Sequence, residues 1–414
     1  MRGPEDRWVW VGAYPHGVST ESRRATSVKA TSFTESVIRE MTRLAAVHDA
    51  INLGQGYPDF PAPFEVKEAA ARAINDDHNQ YPVTWGVPEF RQAIAKTYLR
   101  RYGMTVDPET DICVTCGSTE AMIAAMLGLV DAGDEVVIFE PFYENYGPDV
   151  ILTGATPRIV QLHAPDWSLE ESELEAAFGE RTRAIVLNSP NNPTGKAFSR
   201  EELDAIARLC VKWDAIAITD EIYEHITFDG REHIPIATID GMQDRTVTIS
   251  ALSKTYAVTG WRVGWAVAAE RLTQGIRVVH DFLTVAAATP LQHAGIAALK
   301  MPQTYYDRMR IDYARRRDTM LRILAEVGFE ARPPEGAYYV MADIGHLGFE
   351  NDTQAALNLV EHAGVATVPG SSFFSNPADG HRLVRFAFPK KLETLEAAGE
   401  RLRSYVPDRT RPSG

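Results

Sequence analysis

Four short apolar runs along this chain each end in a polar cluster. Asp111-Ile-Cys-Val-Thr-Cys116 leads into Gly117-Ser-Thr-Glu120, and Glu135-Val-Val-Ile-Phe139 leads into Glu140-Pro-Phe-Tyr143. Arg183-Ala-Ile-Val-Leu187 leads into Asn188-Ser-Pro-Asn-Asn-Pro-Thr-Gly195, and Ala215-Ile-Ala-Ile-Thr219 into Asp220-Glu-Ile-Tyr223. Helical patterns stand between them, among them 121–130 and the capping box Ser199-Arg-Glu-Glu202, which opens a helix to Trp213. Strands that are apolar throughout are covered on both faces, so the alternation predicts an α/β fold around a mainly parallel sheet. In such sheets ligands bind beyond the carboxyl ends of the strands. Gly117, Ser118, Thr119, Tyr143, Asn192, Asp220, Tyr223 and Lys254 are therefore expected at one site, although they are scattered in sequence.

The stretch Ser250-Ala-Leu-Ser-Lys-Thr-Tyr-Ala-Val-Thr-Gly-Trp-Arg262 supplies candidate chemistry. Val247-Thr-Ile249 before it and Val263-Gly-Trp-Ala-Val-Ala268 after it read as buried strands. Lys254 between them is expected to be partly desolvated, with a lowered pKa. An amine of that kind forms a Schiff base with an aldehyde. Arg262, eight residues on, is a fixed cation suited to a phosphate. The two together fit the aldehyde and the phosphate of pyridoxal 5′-phosphate (PLP). The turn at Gly117 opens a helix whose unpaired N–H groups also suit a phosphate, with Ser118 or Thr119 as a plain N-cap the alternative. The spacing is not that of a P-loop.

Composition narrows the partners. The 414 residues are 45% hydrophobic and 24% charged, a globular balance long enough for two or three domains. A net charge of −14 argues against nucleic acid and anionic membranes. No apolar run is long enough to span a bilayer. Three cysteines (Cys113, Cys116 and Cys210) make no disulfide framework and fit a reducing compartment, so a cytoplasmic protein is expected. Cys113 and Cys116 have C-x-x-C spacing, but on a strand they point to opposite faces. They read as core residues, and no metal is expected.

Along the chain, residues 1–30 read as a flexible N-terminal arm. A helical stripe of Phe33, Val37, Ile38, Met41 and Leu44 runs through 33–47, and Ile51-Asn-Leu-Gly-Gln-Gly-Tyr-Pro-Asp-Phe60 is a glycine-rich loop. Residues 31–60 are assigned to a smaller domain, and 61–310 to the large one. Helices are expected at 64–74 and 89–101, around a polar and aromatic connection at 78–86. From about 278 the pattern is helical through 327. Strands at Ala337-Tyr-Tyr-Val-Met341 and Arg382-Leu-Val-Arg-Phe-Ala-Phe388, then a helix over 392–405, make 311–414 the rest of a small α+β domain.

The set Asn188 to Gly195, Asp220-Glu-Ile-Tyr223, Ser253-Lys254 and Gly260-Trp-Arg262 resembles the class I/II aminotransferases of fold type I. Leu53-Gly-Gln-Gly-Tyr-Pro-Asp-Phe60 and Glu140-Pro-Phe-Tyr143 resemble their kynurenine and glutamine-phenylpyruvate branch. The likeness covers almost the whole chain after the first thirty residues. It implies a PLP-dependent enzyme that moves an amino group from an α-amino acid to a 2-oxo acid. By this resemblance Lys254 is the Schiff-base lysine and the base for the α-proton. Asp220 pairs with the pyridine nitrogen, and Asn192 and Tyr223 hydrogen-bond the phenolate oxygen. Tyr143 stacks on the ring, while Gly117, Ser118, Thr119 and Arg262 hold the phosphate. Arg385 takes the α-carboxylate through two parallel hydrogen bonds, with Gly56 and Asn192 beside it. Tyr81 resembles a tyrosine that reaches the phosphate of a neighbouring subunit, which implies a homodimer with shared sites.

Two positions depart from the family. Ala251 stands where a serine often binds phosphate, and Thr284-Val-Ala-Ala-Ala-Thr289 is small where the branch carries an aromatic. The expected donor therefore has a neutral or apolar side chain, against a small apolar wall. A C–S β-lyase acting on a cysteine S-conjugate would use the same Lys254 and Asp220 and stays open as the alternative. A PLP-fold transcription regulator ranks last, because 1–30 is too short for a DNA-binding segment.

Overall fold

The computed structural model describes residues 26–33 and 36–406. Most of the expected arm, residues 1–25, lies outside the described residues, as do 34–35 and 407–414.

An eight-stranded sheet forms the larger part. Its strands are β1 (Ile112–Thr115), β2 (Glu135–Glu140), β3 (Thr156–His163), β4 (Ser168–Leu169), β5 (Thr182–Asn188), β6 (Ile216–Asp220), β7 (Thr246–Ala251) and β8 (Gly264–Val267). They lie in the order β1-β8-β7-β6-β5-β2-β3-β4. The pairs from β7 through β3 are all parallel, while β8 runs antiparallel between β1 and β7, and β4 antiparallel to β3. The sheet is mainly parallel, as expected. Each of β1, β2, β6, β7 and β8 is buried along its whole length, which is why these strands read as unbroken apolar runs. By contrast, β3 alternates exposed and half-buried residues at its start, so it carries no such run. Cys113 packs in the core on one face of the sheet and Cys116 against the core on the other.

Four of the helices are α1 (Val37–Val47), α2 (Ser118–Leu129), α3 (Glu270–Leu283) and α4 (Gln303–Glu326). Gly128 of α2 and Gly275 of α3 face each other so closely that a Cβ on Gly128 would lie 2.7 Å from the Gly275 carbonyl oxygen. Glycine there lets the two helix backbones touch. The capping box at Ser199 forms as expected, at the head of the helix Arg200–Trp213.

The smaller sheet holds β9 (Glu330–Ala331), β10 (Tyr339–Asp343), β11 (Val368–Pro369) and β12 (Leu383–Ala387), in the order β9-β10-β12-β11, antiparallel throughout. Ile51 and Asn52 pair in parallel with Val365 and Ala366, so chain from 31–60 packs with chain from beyond 311. The boundary drawn at 310/311 falls inside α4, a single helix of 24 residues. One continuous helix, with no loop, thus spans that boundary. The helical region expected from 278 begins earlier, with α3 at Glu270.

Candidate active site

The carboxyl ends of β1, β2, β5, β6 and β7 share one edge of the sheet. Because β8 runs the other way, its first residues lie at that edge too. Gly117 follows β1 with φ +85°, a conformation that favours glycine, and α2 starts at once. A Cβ on Gly117 would lie 2.5 Å from Arg262 Nη2, and one on Gly264 would lie 2.6 Å from the Gly117 carbonyl carbon. Both glycines are needed for β8 to bring Arg262 over the head of α2. Arg262 donates to Thr119 Oγ1 (3.3 Å) and to the Thr259 carbonyl (3.1 Å). Gly117 is the N-cap and offers no side chain, so neither Ser118 nor Thr119 is the cap. The first N–H groups of α2 therefore have no partner within the helix, and an exposed guanidinium stands beside them. This is an anion cup of phosphate character. Ser250 takes no part in it: its hydroxyl donates to Glu224 Oε1 at 2.8 Å, and Ala251 is buried in the core.

Lys254 lies half-buried on the helical turn Leu252–Thr255, directly after β7. Its Nζ donates to the Gly56 carbonyl at 3.4 Å and stands 5.9 and 5.8 Å from the Tyr223 and Tyr338 ring centroids. Burial pulls its pKa below the usual lysine value. Arg262 and Arg385 add to the lowering, while Tyr339 and Asp220 oppose it. Asp220 ends β6 and is buried. Tyr146 Oη donates to its Oδ2 at 2.9 Å and the Ile222 N–H to its Oδ1 at 3.3 Å, yet burial still lifts its pKa to about 6. Tyr146 meets Tyr143 edge to face, with centroids 5.8 Å apart, so one turn after β2 supplies both rings.

Arg385 is fully buried on β12. Its Nη1 donates to Asn192 Oδ1 (2.6 Å) and its Nη2 to the Gly54 carbonyl (2.7 Å). The Tyr339 and Phe373 rings cover the guanidinium, at 4.2 and 4.8 Å. Its Nε has no partner, and no described carboxylate pairs with it. A buried cation left this way costs several kcal/mol unless an anion joins it. Asn192 is held by its own N–H to Asn188 Oδ1 (2.7 Å), and its Nδ2 bonds to none of the described residues. Tyr223 Oη lies 3.1 Å from Tyr339 Oη, and Tyr338 Oη donates to the Gly56 carbonyl at 2.8 Å. Any side chain at Gly56 would overlap the Tyr339 hydroxyl.

Gly56, Gly117, Ser118, Thr119, Tyr143, Asn192, Asp220, Tyr223, Lys254, Arg262 and Arg385 are thus gathered at one edge of the sheet. Tyr81 is not: it is 84% exposed and makes no hydrogen bond or ring contact among the described residues. The segment 284–289, expected as a small apolar wall, lies against the head of α2 and the Tyr81 loop. Thr284 bonds Glu120, Ala286 accepts from Cys116, and Thr289 donates to the Gln80 carbonyl, which sets the segment between α2 and the Tyr81 loop. Tyr146, Tyr338 and Tyr339 join the site without any motif to announce them. The one hint in the sequence is Tyr146 standing three residues after Tyr143. An anion cup, a desolvated amine, a buried carboxylate and an orphaned guanidinium fit PLP with an amino-acid carboxylate beside it.

The family model for aminotransferases of class I and II matches residues 48–402. The probable N-succinyldiaminopimelate aminotransferase of Mycobacterium tuberculosis is 41% identical over 382 residues, covering 89% of this chain and 96% of that protein. Kynurenine–oxoglutarate transaminase 1 of Homo sapiens is 36% identical over 399 residues, covering 88% and 94%. The solved structure of the Escherichia coli methionine aminotransferase matches with a TM-score of 0.88 at 35% identity, covering 92% of this chain and all of that one.

Asp220 gives a stability prediction for the protein freed of cofactor. Its folded pKa of about 6 lies above the usual 3.8, so the folded state holds the extra proton. Stability from this group is greatest below 3.8 and is lost as pH rises to about 6. Asp220→Asn should therefore stabilise the apoprotein above pH 6, by up to about 3 kcal/mol, and change little below pH 4. Urea melts at both pH values check this. A variant that is less stable at pH 7 would contradict it.

Proposed function

This chain belongs to the class I and II aminotransferases, and we propose that it moves the amino group of neutral α-amino acids to 2-oxo acids from the site around Lys254 and Arg385. The activity is PLP-dependent amino-group transfer. Bound at this site, PLP supplies an aldehyde that takes up the amino group and a ring that accepts electrons. The chain's own residues do the rest. Gly117, Ser118, Thr119 and Arg262 hold the phosphate, and Tyr143 lies against the ring. Asp220 keeps a proton on the ring nitrogen, and Tyr146 orients its carboxylate. Asn192 Nδ2 and Tyr223 Oη serve the ring oxygen. Lys254, whose pKa burial lowers, is the amine placed to take the α-proton and return it.

The observation that carries the reading is Arg385. Two of its nitrogens are fixed by Asn192 and Gly54, and the orphaned Nε asks for an oxygen. A substrate α-carboxylate meets that need and sets Cα in place. The substrates in the relatives' names differ from one another, so they do not choose the donor. Adding single amino acids to the holoenzyme should convert the cofactor to its pyridoxamine form, neutral donors fastest, with turnover only when a 2-oxo acid is present. Arg385→Ala should cut kcat/KM by about 100-fold or more. Aspartate or glutamate outrunning every neutral donor would overturn the side-chain reading. Ammonia released steadily from a cysteine conjugate with no 2-oxo acid, and no transamination, would favour β-elimination.

The protein is further read as a cytoplasmic homodimer with shared sites. The three cysteines are unpaired, and no helix among the described residues is long and apolar enough to cross a membrane. Recovery in a membrane or secreted fraction would contradict the location. Tyr81, Val278 and Phe282 are 84, 63 and 89% exposed, large side chains that a second subunit would cover. Thr289 and His280 hold the Tyr81 loop beside the end of α3. Mixing Tyr81→Ala subunits with Lys254→Ala subunits should restore activity at limiting PLP, because one site of each hybrid then has both residues. No gain over the separate variants, or a monomer in sedimentation, would refute shared sites.

A further inference from the structure

Glu120 is a buried carboxylate in the first turn of α2, one residue past Thr119. Three donors converge on it: the Cys116 N–H, Thr284 Oγ1 at 2.6 Å and His280 Nδ1 at 2.7 Å. His280 comes from α3 and is fully buried. Its Nε2 lies 2.9 Å from the Thr84 carbonyl, in the loop that carries Tyr81. A carbonyl oxygen only accepts, so Nε2 carries a hydrogen. A neutral ring would then turn a lone pair on Nδ1 toward the carboxylate. Both nitrogens therefore carry hydrogens and the ring is charged. An apolar pair of the same size would fill this space without the desolvation cost of two ions. What the ions add is a link between the head of α2 and the Tyr81 loop, and a positive charge that cancels Glu120 beside the anion cup.

We propose that the Glu120–His280 pair is a positioning device for the cofactor phosphate, locking the first turn of α2 to the loop that presents Tyr81 to the neighbouring subunit. It rests on the reading that Ser118, Thr119, Arg262 and Tyr81 hold that phosphate. Without the imidazolium, Glu120 would repel a phosphate held at the head of α2, and the loop would lose its hold at Thr84. Burial alone would lower the His280 pKa, but Glu120, the Thr84 carbonyl and Asp281 outweigh it and hold the pKa above the usual 6.5. Around the pair, Cys116 stays a thiol, raised first by burial and then by Glu120. Arg262 stands near it, and Arg277, one turn back on α3, lies over Trp85. The link is therefore complete below 6.5 and is lost as pH rises through the raised value.

The test uses holoenzyme with excess competing apoprotein to capture released PLP, and hydrogen exchange of residues 80–86 in the apoprotein. His280→Gln should release PLP at least about tenfold faster at pH 7, as expected for one lost charge-assisted hydrogen bond. It should also exchange faster over 80–86 and lack a pH step that the unsubstituted protein shows above pH 6.5. Arg262→Ala serves as the reference, releasing PLP quickly with 80–86 unchanged. Fast release from Arg262→Ala with normal release and exchange in His280→Gln overturns the positioning role alone. Normal release from both variants overturns the phosphate reading and the proposal with it. If His280→Gln does not fold, the pH step in the unsubstituted protein decides. Exchange over 80–86 that follows only the intrinsic base catalysis overturns the link.

Discussion

Arg385 holds a full positive charge where water does not reach. A guanidinium cannot shed that charge by losing a proton, so the interior has to be built around it. Gly54, from the N-terminal segment, and Asn192, from the loop after β5, each supply one oxygen. Tyr339 and Phe373 supply ring faces. One side chain thereby joins segments 193 and 331 residues away in sequence. The glycine at 56 follows from the same crowding, because its carbonyl is shared by Lys254 and Tyr338 and a side chain would strike Tyr339.

A second cation, Arg262, stands at the other end of the site over the head of α2. Lys254 lies between the two, and both push its pKa in the direction that burial already sets. The site is thus positive at both ends in a protein whose net charge is −14. That polarity suits a cofactor phosphate at one end and a substrate carboxylate at the other. Asp220 is the counterweight. Burial makes it reluctant to ionise, and Tyr146 with the Ile222 N–H lowers that reluctance. A cationic ring nitrogen beside it would complete the balance.

Much of this is legible in the sequence where local pattern and function coincide. Strands buried on both faces read as apolar runs, and their polar ends mark the edge where Asp220, Asn192 and Lys254 meet. Elements without such a run stay hidden. The strand β3 has its first residues partly in water, and β11 is two residues long. Tyr338 and Tyr339 read as strand residues without a role, because their partners Gly56 and Tyr223 lie 282 and 116 residues away. Glu120 and His280, 160 residues apart, are set together by helices crossing at Gly128 and Gly275, which no local spacing records. The resemblance to a family leads to Arg385 and Tyr81. Physical pattern alone marks Arg385 only as a charge on an apolar strand.

The chemistry of the site depends on Lys254 being the lysine that meets the cofactor. Two more deeply buried lysines are rivals on chemistry alone: Lys390, whose burial brings its pKa down to about 8, and Lys196, which is paired with Glu202. Reducing the holoenzyme with borohydride and mapping its peptides distinguishes the three. The expected result is a pyridoxyl group on Lys254 and on no other lysine. A label on Lys390 or Lys196, or no label at saturating PLP, would contradict it.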